Sequence, residues 1–416
     1  MAPNTSLLPR HAARLVADAL SDTRVVLIQG ARQVGKSTLA TRIVELPGAQ
    51  IRTLDDAGML AAAREDPTGF VETPGPLIID EIQRAPELLL AIKARVDRDP
   101  TPGQFLLTGS AQVMAMRGLA DALPGRVETV NLWPLSQGEI DGSSDRFLDA
   151  VFQAGPEFTH TTDLRRADYP ARLVQGGFPD ARGRAGRRLS AFYDGYTRTV
   201  VERDVQALSH IERVPQLRAL LPMLAARSGW LLRAGSLASD LGISRPTVAR
   251  YLALLEEVFL IYQLPAWSRN VSTRATAAAK LAFVDSGIAA DLMGATEETL
   301  AIPTSPLGPL LEGFVAMELA RQATWNDVRV ELSHYRTKDG AEVDVIAEDR
   351  SGHVVGMEVK AGSTVRAGDF RGLRHLQDRI GSDLLVGIVL YTGAQTLRFG
   401  PGLLAVPIAA LWETEP

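Results

Sequence analysis

The strongest chemical pattern in the sequence lies at residues 30–37, between an apolar run at 25–28 and a helical run at 37–45. In the pattern G-x-x-x-x-G-K-[ST], backbone N–H groups surround phosphates, the lysine reaches the β and γ oxygens, and the hydroxyl ligates Mg²⁺. The match reads Gly30-Ala31-Arg32-Gln33-Val34-Gly35-Lys36-Ser37. The sequence therefore predicts an ATP and Mg²⁺ site in residues 30–38, Thr38 included.

Two carboxylates follow a second apolar run. Residues 77–79 precede Asp80 and Glu81. Beside a phosphate loop, Asp80 is expected to hold Mg²⁺ and Glu81 to polarise the attacking water. A third apolar run ends in Thr108 and Ser110. We interpret one of these two residues as a sensor of the γ-phosphate, and the alternative is that both are ordinary turn residues.

Arg126 follows Gly125 just beyond these runs. An arginine there is a candidate for stabilising the charge of the transition state, either within its own chain or across a subunit interface. The alternative is a surface arginine, since only five of the 44 basic Lys and Arg residues are lysine. In a chain so rich in arginine, the lysines that remain are expected at positions that need a compact ammonium group.

A second group of charged residues lies in the last third of the chain. Three predicted strands, joined by tight turns, carry Asp344 among apolar neighbours and then Glu358 and Lys360 on one strand face. In a D…E-x-K arrangement, two carboxylates hold Mg²⁺ and the lysine activates water against a phosphodiester. Glu312 or Glu318, on a predicted helix at 310–322, is expected to complete the acidic set. The alternative is the charge alternation of a solvent-facing hairpin.

Residues 237–252 have the pattern of a helix-turn-helix. A first helix is followed by a turn at Gly242 and by a second helix with Ser244 as its N-cap. The second helix carries Arg245, Thr247 and Arg250, residue types that contact phosphates and base edges. Residues 228–282 hold six basic and three acidic residues, a net charge of +3. This favours DNA binding by a winged helix, with packing against protein as the alternative.

Composition limits the classes of protein that remain. The 416 residues are 46% hydrophobic and 22% charged, the net charge is -5, and cysteine is absent. Disulfides, thiolate nucleophiles and thiolate zinc sites are therefore excluded, as is a uniformly basic coat for nucleic acid. No apolar run reaches the roughly 18 residues of a membrane span, so we expect a cytoplasmic protein without a membrane partner.

The order of apolar runs predicts an α/β fold of several domains. A short helix at 9–20 precedes alternating strands and helices at 24–131, a pattern typical of a parallel sheet covered by helices. Residues 304–309 are predicted to be a linker or a loop. The predicted domains are an AAA-like P-loop ATPase domain (1–138), a helical lid or linker region (139–227), a winged helix-turn-helix (228–285) and an α/β nuclease-like domain (286–416).

Taken in order, nine segments resemble a bacterial and archaeal family of AAA-type ATPases. They read GARQVGKSTL, LIIDEIQ, FLLTGSA, LPGRVETVNLWPLSQGE, GGFP, KLAFVDSGIAADLMG, LEGFVAMEL, HYRTKDGAEVDVI and GMEVKAG. Members of that family carry a C-terminal domain of unknown function with a restriction-endonuclease-like fold. The resemblance implies an ATP site at Lys36, Ser37, Asp80 and Glu81, a winged helix near 230–282, and a PD-(D/E)xK-like site at Glu312, Asp344, Glu358 and Lys360.

Two functions of different classes follow. In the first, the protein hydrolyses ATP with Mg²⁺, associates with double-stranded DNA, and has a nuclease site that ATP gates. In the second, it is a nucleotide-dependent switch whose nuclease-like domain only docks to a partner. Because AAA-like sites often share an arginine between subunits, a homo-oligomer is expected by analogy.

Overall fold

The computed structural model describes residues 7–43, 46–110, 125–208, 214–269 and 278–415. The chain forms two compact units. The first unit comprises Met1–Leu135, Asp204–Ser209 and Glu257–Phe259, and the second comprises Ser136–Arg203, His210–Glu256 and Leu260–Pro416. Within the described residues, no helix combines the length and the apolar character needed to cross a membrane.

A parallel sheet forms the centre of the first unit. Its strands are β1 (Val25–Gln29), β2 (Gln50–Thr53), β3 (Leu77–Asp80), β4 (Phe105–Gly109) and β5 (Val127–Asn131). They lie in the order β2-β3-β4-β1-β5, and every neighbouring pair is parallel. β1, β3 and β4 are buried along their whole length, because strands that are covered on both faces need apolar side chains on both. The predicted parallel sheet is confirmed.

Helices cover this sheet. They are α1 (Ala12–Asp22), α2 (Lys36–Thr38), α3 (Ala57–Glu65), α4 (Pro67–Val71) and α5 (Leu88–Arg98). α2 continues as a π-helical turn over Leu39–Ile43. Acidic caps start two of the helices: Asp56 accepts the N–H of Met59 at 2.8 Å, and Asp66 accepts that of Gly69 at 2.9 Å. α5 buries its apolar side against the sheet.

The second unit begins with helices, as predicted for residues 139–227. They are α6 (Gln137–Asp141), α7 (Phe147–Ala154), α8 (Tyr169–Gln175) and α9 (Arg187–Thr199). α9 is followed by a π-helical turn over Val200–Asp204. α10 (Val205–Leu208), which comes next along the chain, belongs to the first unit.

The next segment contains the predicted helix-turn-helix. Its elements are α11 (Val214–Ala225), α12 (Ala234–Leu241), α13 (Arg245–Glu257), β6 (Ile261–Leu264) and β7 (Lys280–Phe283). Gly242 has φ 62°, a left-handed conformation that suits glycine in the turn between α12 and α13. β6 pairs with β7 in antiparallel fashion, and Leu231 forms a bridge to Lys280. The two predicted helices and the turn at Gly242 are confirmed, whereas the winged-helix assignment stays a prediction.

A buried carboxylate joins two of the segments quoted above. Asp285 caps α14 (Ser286–Leu292), where it accepts the N–H groups of Gly287 at 2.9 Å and Ile288 at 3.3 Å. It also accepts the N–H of Gly177 at 2.6 Å and the hydroxyl of Tyr193 at 3.1 Å. GGFP and VDSGIAAD are therefore held together by one side chain.

A six-stranded mixed sheet forms the C-terminal part of the second unit. Its order is β12-β13-β11-β10-β9-β8, where the strands are β8 (Val330–Arg336), β9 (Glu342–Asp349), β10 (Val354–Lys360), β11 (Leu384–Tyr391), β12 (Leu397–Arg398) and β13 (Leu403–Pro407). β8, β9 and β10 are antiparallel neighbours, which confirms the three predicted strands. β10, β11 and β13 run parallel.

Helices accompany this sheet. They are α15 (Glu297–Ala301), α16 (Leu307–Trp325), α17 (Arg371–Ile380) and α18 (Ala410–Glu413). α17 lies so close to β10 that a Cβ on Gly356 would meet Leu373 Cδ2 at 2.9 Å. The linker predicted at 304–309 is wrong in its second half, because α16 begins at Leu307. Pro309 is compatible with the first turn of a helix, where an N–H has no intrahelical partner.

Candidate functional site

The phosphate loop follows the carboxyl end of β1. Gly35 has φ 95° and Gln33 has φ 62°, so the loop turns through left-handed conformations. A Cβ on Gly30 would lie 2.1 Å from the carbonyl oxygen of Leu132, so glycine is required for this close approach. Arg10 donates to the carbonyl oxygen of Val34 at 2.7 Å. Sequence reasoning missed Arg10, because a lone arginine far ahead of the loop carries no pattern.

Lys36 lies inside the loop and is 4% exposed. Its ammonium donates to the carbonyl oxygens of Gly30 at 3.1 Å and Ala31 at 2.7 Å. Burial lowers the pKa of Lys36 to about 8, and the negative charges of Glu81 and Asp80 partly counteract this shift. The loop therefore holds a cation that gains from an anionic ligand.

Asp80 joins the phosphate loop to the end of β4. The Ser37 hydroxyl donates to Asp80 Oδ1 at 2.7 Å, and the Thr108 hydroxyl donates to the same oxygen at 2.6 Å. Ser37 and Asp80 thus offer two hard oxygen atoms side by side, next to the phosphate loop. These residues fit Mg²⁺, which prefers such ligands.

Glu81 is held by contacts at its side chain and its backbone. Its φ is 61°, an uncommon left-handed conformation for a residue other than glycine. The Ser110 hydroxyl donates to Glu81 Oε2 at 3.0 Å, the Gln83 amide donates to the same carboxylate, and the Glu81 N–H donates to Thr108 Oγ1 at 3.1 Å. Thr108 and Ser110 therefore both contact the acidic pair, and which of them senses a γ-phosphate stays a prediction. Sequence reasoning missed Gln83, although it lies within LIIDEIQ.

The other loop residues have simpler surroundings. Arg32 forms an ion pair with Asp204, with two N···O distances of 3.2 Å, so its guanidinium is engaged away from the loop backbone. Ala31 and Val34 are buried, and Thr38 lies in the short helix that the loop opens. Of the predicted loop residues, Lys36 and Ser37 supply the side-chain chemistry.

Arg126 does not lie at the ATP site of its own unit. β5 runs parallel to β1 with Val127 opposite Val25, whereas the phosphate loop follows Gln29 at the other end of β1. Arg126 therefore lies at the amino edge of the sheet, about one strand length (roughly 15 Å) away, and pairs with Asp97. For this reason, the prediction that Arg126 stabilises the transition state within its own chain is wrong. Its action across a subunit interface stays a prediction.

A cavity of about 590 Å³ lies in the second unit beside the C-terminal sheet. Glu312, Asp344 and Glu358 line it, so three of the predicted carboxylates face one space. The remaining lining residues are Arg227, Gly229, Trp230, Leu231, Arg233, Ser236, Arg336 and Glu342. The cavity thus combines acidic groups with three arginines and an exposed indole.

Lys280 lies among these carboxylates. Its Nζ is 2.6 Å from Asp344 Oδ1, 2.8 Å from Glu342 Oε1 and 4.0 Å from Glu312 Oε2. Asp344 Oδ2 accepts the N–H of Val359 at 2.8 Å. Within the described residues, no set of three acidic or histidine side chains is placed to hold a metal ion. Asp344 is thus already paired with an ammonium group, and the metal role of Glu312, Asp344 and Glu358 stays a prediction.

Two further acids of the cavity have raised pKa values. Burial, and next the charge of Asp344, raise the pKa of Glu312 to about 8 and the pKa of Glu358 to about 7. Lys360 donates to Glu358 Oε1 at 2.7 Å, which joins the two residues of the predicted E-x-K pair. Glu358 Oε2 is buried without a hydrogen-bond partner.

Glu318 faces a different environment from Glu312. It is fully buried, pairs with Arg321, and accepts the N–H of Gln137 at 3.1 Å. Six residues apart on α16, the two glutamates lie on different sides of the helix. Of the two predicted alternatives, only Glu312 reaches the cavity.

The predicted DNA-contacting residues lie on α13 or at its start. Arg245 and Arg250 are exposed, and the Thr247 N–H donates to Ser244 Oγ at 3.2 Å in the cap of this helix. Arg274, which contributes to the predicted local charge, lies outside the described residues. Lys280 is buried and paired, so its charge is not available to DNA and the expected charge of this surface is reduced by one.

Comparison with known families divides the chain into three matched regions. Residues 22–141 match an AAA domain, residues 166–299 match a domain of unknown function (DUF8612), and residues 307–411 match another (DUF4143). Together with the phosphate loop, the AAA domain supports nucleotide binding and hydrolysis.

Individual proteins are also similar to this chain. A protein of Mycobacterium tuberculosis is 32% identical over 359 residues, which cover 85% of this chain and 74% of that protein. A protein of Haemophilus influenzae is 22% identical over 324 residues, which cover 74% of this chain and 72% of that protein. A signal transduction ATPase (STAND protein) of Pyrococcus horikoshii is similar over 76% of this chain and 48% of its own, with 13% identity and a TM-score of 0.26.

Proposed function

The chain belongs to the same family as the uncharacterized protein of M. tuberculosis, and from its AAA domain and its phosphate-loop geometry we propose that it is a Mg²⁺-dependent ATPase that acts on DNA. The observation that carries the ATPase is the hydrogen bond from Ser37 to Asp80 beside the buried Lys36. Ser37 and Asp80 would hold Mg²⁺, which would neutralise charge on the phosphate oxygens. Lys36 binds the β and γ oxygens, and Glu81, held by Ser110, orients the attacking water.

The proposed DNA surface lies in the second unit. The exposed side chains of Arg245 and Arg250 support it, as does Arg233 on the wall of the cavity. Trp230 lines the same cavity and is 58% exposed, so its indole can stack on an unpaired base. Arginines near an aromatic side chain are typical of surfaces that hold a single strand or a strand end, in addition to duplex.

A second candidate function is cleavage of that DNA. The observation that favours it is the common cavity of Asp344, Glu358 and Glu312, with Lys360 bonded to Glu358. The observation against it is the Lys280 ammonium on Asp344. If the carboxylates never bind a metal, the C-terminal part is a docking module and the protein is a nucleotide-dependent switch.

One experiment separates these functions. ATP turnover of the purified protein is measured with and without single- and double-stranded DNA, and the same DNA is then examined for breaks. Turnover that DNA stimulates supports the proposed function, and breaks that disappear in Asp344→Ala support the nuclease. Turnover that neither DNA changes, together with intact DNA, favours the switch. An inactive wild type contradicts the ATPase itself.

A further inference from the structure

Lys280 belongs to a different part of the sequence from the carboxylates that surround it. It is the first residue of β7, which pairs with β6, and it lies in the region matched by DUF8612. Glu312, Glu342 and Asp344 lie in the region matched by DUF4143. One region therefore supplies a cation to the acidic cavity of the other, and both lie in the second unit.

The placement of Lys280 is fixed by backbone pairing on two sides. Lys280 is opposite Leu264 on β6 and forms a bridge with Leu231 on its other side. The side chain is 4% exposed and reaches Asp344 and Glu342 at less than 3 Å. Burial alone would lower the pKa of Lys280, but the neighbouring carboxylates, Asp344 foremost, raise it above its usual value. The side chain therefore remains a cation across the physiological pH range.

The residue type also indicates a cation site. Among 44 basic residues only five are lysines, and Lys280 is one of them. An ammonium group is compact and donates in three directions, so it can contact several carboxylates at once, whereas a guanidinium is a larger planar fork. The lysine at residue 280 therefore indicates a site that suits a small cation.

We propose that the Lys280 ammonium is the resident cation of the Asp344 site and occupies the position that a divalent metal would take, so that a metal enters only when Lys280 leaves. Mg²⁺ binds oxygen at about 2.1 Å, and a second cation on Asp344 Oδ1 would lie very close to an ammonium that is already 2.6 Å from this oxygen. Since Asp344 Oδ2 accepts a hydrogen bond from the N–H of Val359, the carboxylate has little room to bind both cations. Lys280 thus decides whether the cavity holds metal.

The proposal rests on the candidate nuclease function only where it concerns cleavage of DNA. The exchange of cations at Asp344 can be measured without DNA. An ion pair that is merely structural predicts no new metal site when the lysine is removed. A resident cation predicts that its removal leaves Asp344, whose Oδ1 lies 2.6 Å from Nζ, with an uncompensated charge that a divalent ion can neutralise.

The test is titration of the full-length, nucleotide-free protein with Mn²⁺ by calorimetry. We expect Lys280→Met to gain a site that binds Mn²⁺ at least about tenfold more tightly than the same cavity in the wild type. The site should be lost in Lys280→Met/Asp344→Asn, and Lys338→Met, which removes an exposed lysine, should match the wild type. Lys280→Arg, which keeps the charge, should not gain the site. Equal Mn²⁺ affinity in wild type and Lys280→Met contradicts the proposal.

A measurement on the wild type covers the case in which Lys280→Met does not fold. Acetylation by acetic anhydride is followed at each lysine by peptide mass spectrometry, which is straightforward with five lysines. We expect Lys280 to react at least about tenfold more slowly than Lys338, because it is buried and paired. Equal rates contradict the proposal. DNA left intact by a protein that exchanges cations as expected would contradict the nuclease and leave the role of Lys280 standing.

Discussion

The Ser37 hydroxyl lies 2.7 Å from Asp80 Oδ1, although β1, which precedes Ser37, and β3, which ends at Asp80, are not neighbours in the sheet. β4 lies between them and supplies Thr108, which donates to the same oxygen. The carboxyl ends of three parallel strands thus meet at one point, which is where α/β sheets bind their ligands.

Lys36 and Glu81 should separate binding from turnover. Lys36→Ala should abolish nucleotide binding, because the loop loses its buried cation. Glu81→Gln should still bind ATP but hydrolyse it at least about 100-fold more slowly, since the water loses its orienting carboxylate. Calorimetry and phosphate release measure the two effects, with Lys338→Ala as the control. Turnover unchanged in both variants contradicts the site.

ATP affinity should depend on pH through Lys36. The lowered pKa of about 8 means that the ammonium is charged below this pH and increasingly neutral above it. Phosphate oxygens favour the charged form and raise this pKa, so ATP binding takes up a proton near and above pH 8. The dissociation constant should rise by up to about tenfold per pH unit there and be nearly constant below. Calorimetry in two buffers of different ionisation enthalpy measures the proton uptake. Zero proton uptake at pH 8.5 would contradict this prediction.

The α13 arginines should contribute to DNA affinity in a salt-dependent way. Replacing Arg245 and Arg250 with alanine should weaken duplex binding and reduce the slope of log K against log salt by roughly one per lost phosphate contact. Fluorescence anisotropy at several salt concentrations measures the slope. Arg350→Ala/Arg366→Ala removes the same charge from exposed positions elsewhere in the second unit. Equal slopes in the two double variants favour packing of α13 against protein.

Trp230 should report single-stranded DNA directly. It is 58% exposed, whereas Trp133, Trp267 and Trp412 are buried and Trp325 is half-buried. Stacking of a base on the indole should quench its fluorescence. Trp230→Ala should remove most of the quenching and weaken binding about 5- to 160-fold, as expected for one lost stack of about 1–3 kcal/mol, and Trp230→Phe should be intermediate. The same quenching in Trp230→Ala would place the DNA elsewhere.

Asp285 should matter for stability rather than for chemistry. Its carboxylate accepts the N–H groups of Gly177, Gly287 and Ile288 and the hydroxyl of Tyr193 in a fully buried place. Asp285→Ala removes this acceptor from the three N–H groups, whereas the Tyr193 hydroxyl keeps the carbonyl oxygen of Gln175 at 2.7 Å, and it should lower the free energy of unfolding by about 2–4 kcal/mol. Urea denaturation measures the loss. Asp291→Ala, on the same helix but half-buried, should cost less than about 1 kcal/mol.

Much of the first unit could be predicted from the sequence because its signals are local. Apolar runs that end in chemistry-bearing residues define β1, β3 and β4, and parallel strands bring such ends to one edge. The position of Arg126 relative to the ATP site was predicted wrongly because it depends on a non-local signal. Its distance from Lys36 is set by where β5 begins beside β1, and no local pattern shows that. The position of Lys280 depends on β7 and the C-terminal sheet together, so charge counting assigned it to a DNA surface.

The place of β4 in the sheet also has a consequence for synthesis on the ribosome. β1 pairs with β4 and β5, and β3 pairs with β2 and β4, so β4 is the shared neighbour that holds Ser37 beside Asp80. A nascent chain that has not yet passed Phe105 has both halves of the ATP site and nothing to align them. Nucleotide binding should therefore arise abruptly during elongation, when β4 has emerged, rather than grow with the length of the chain.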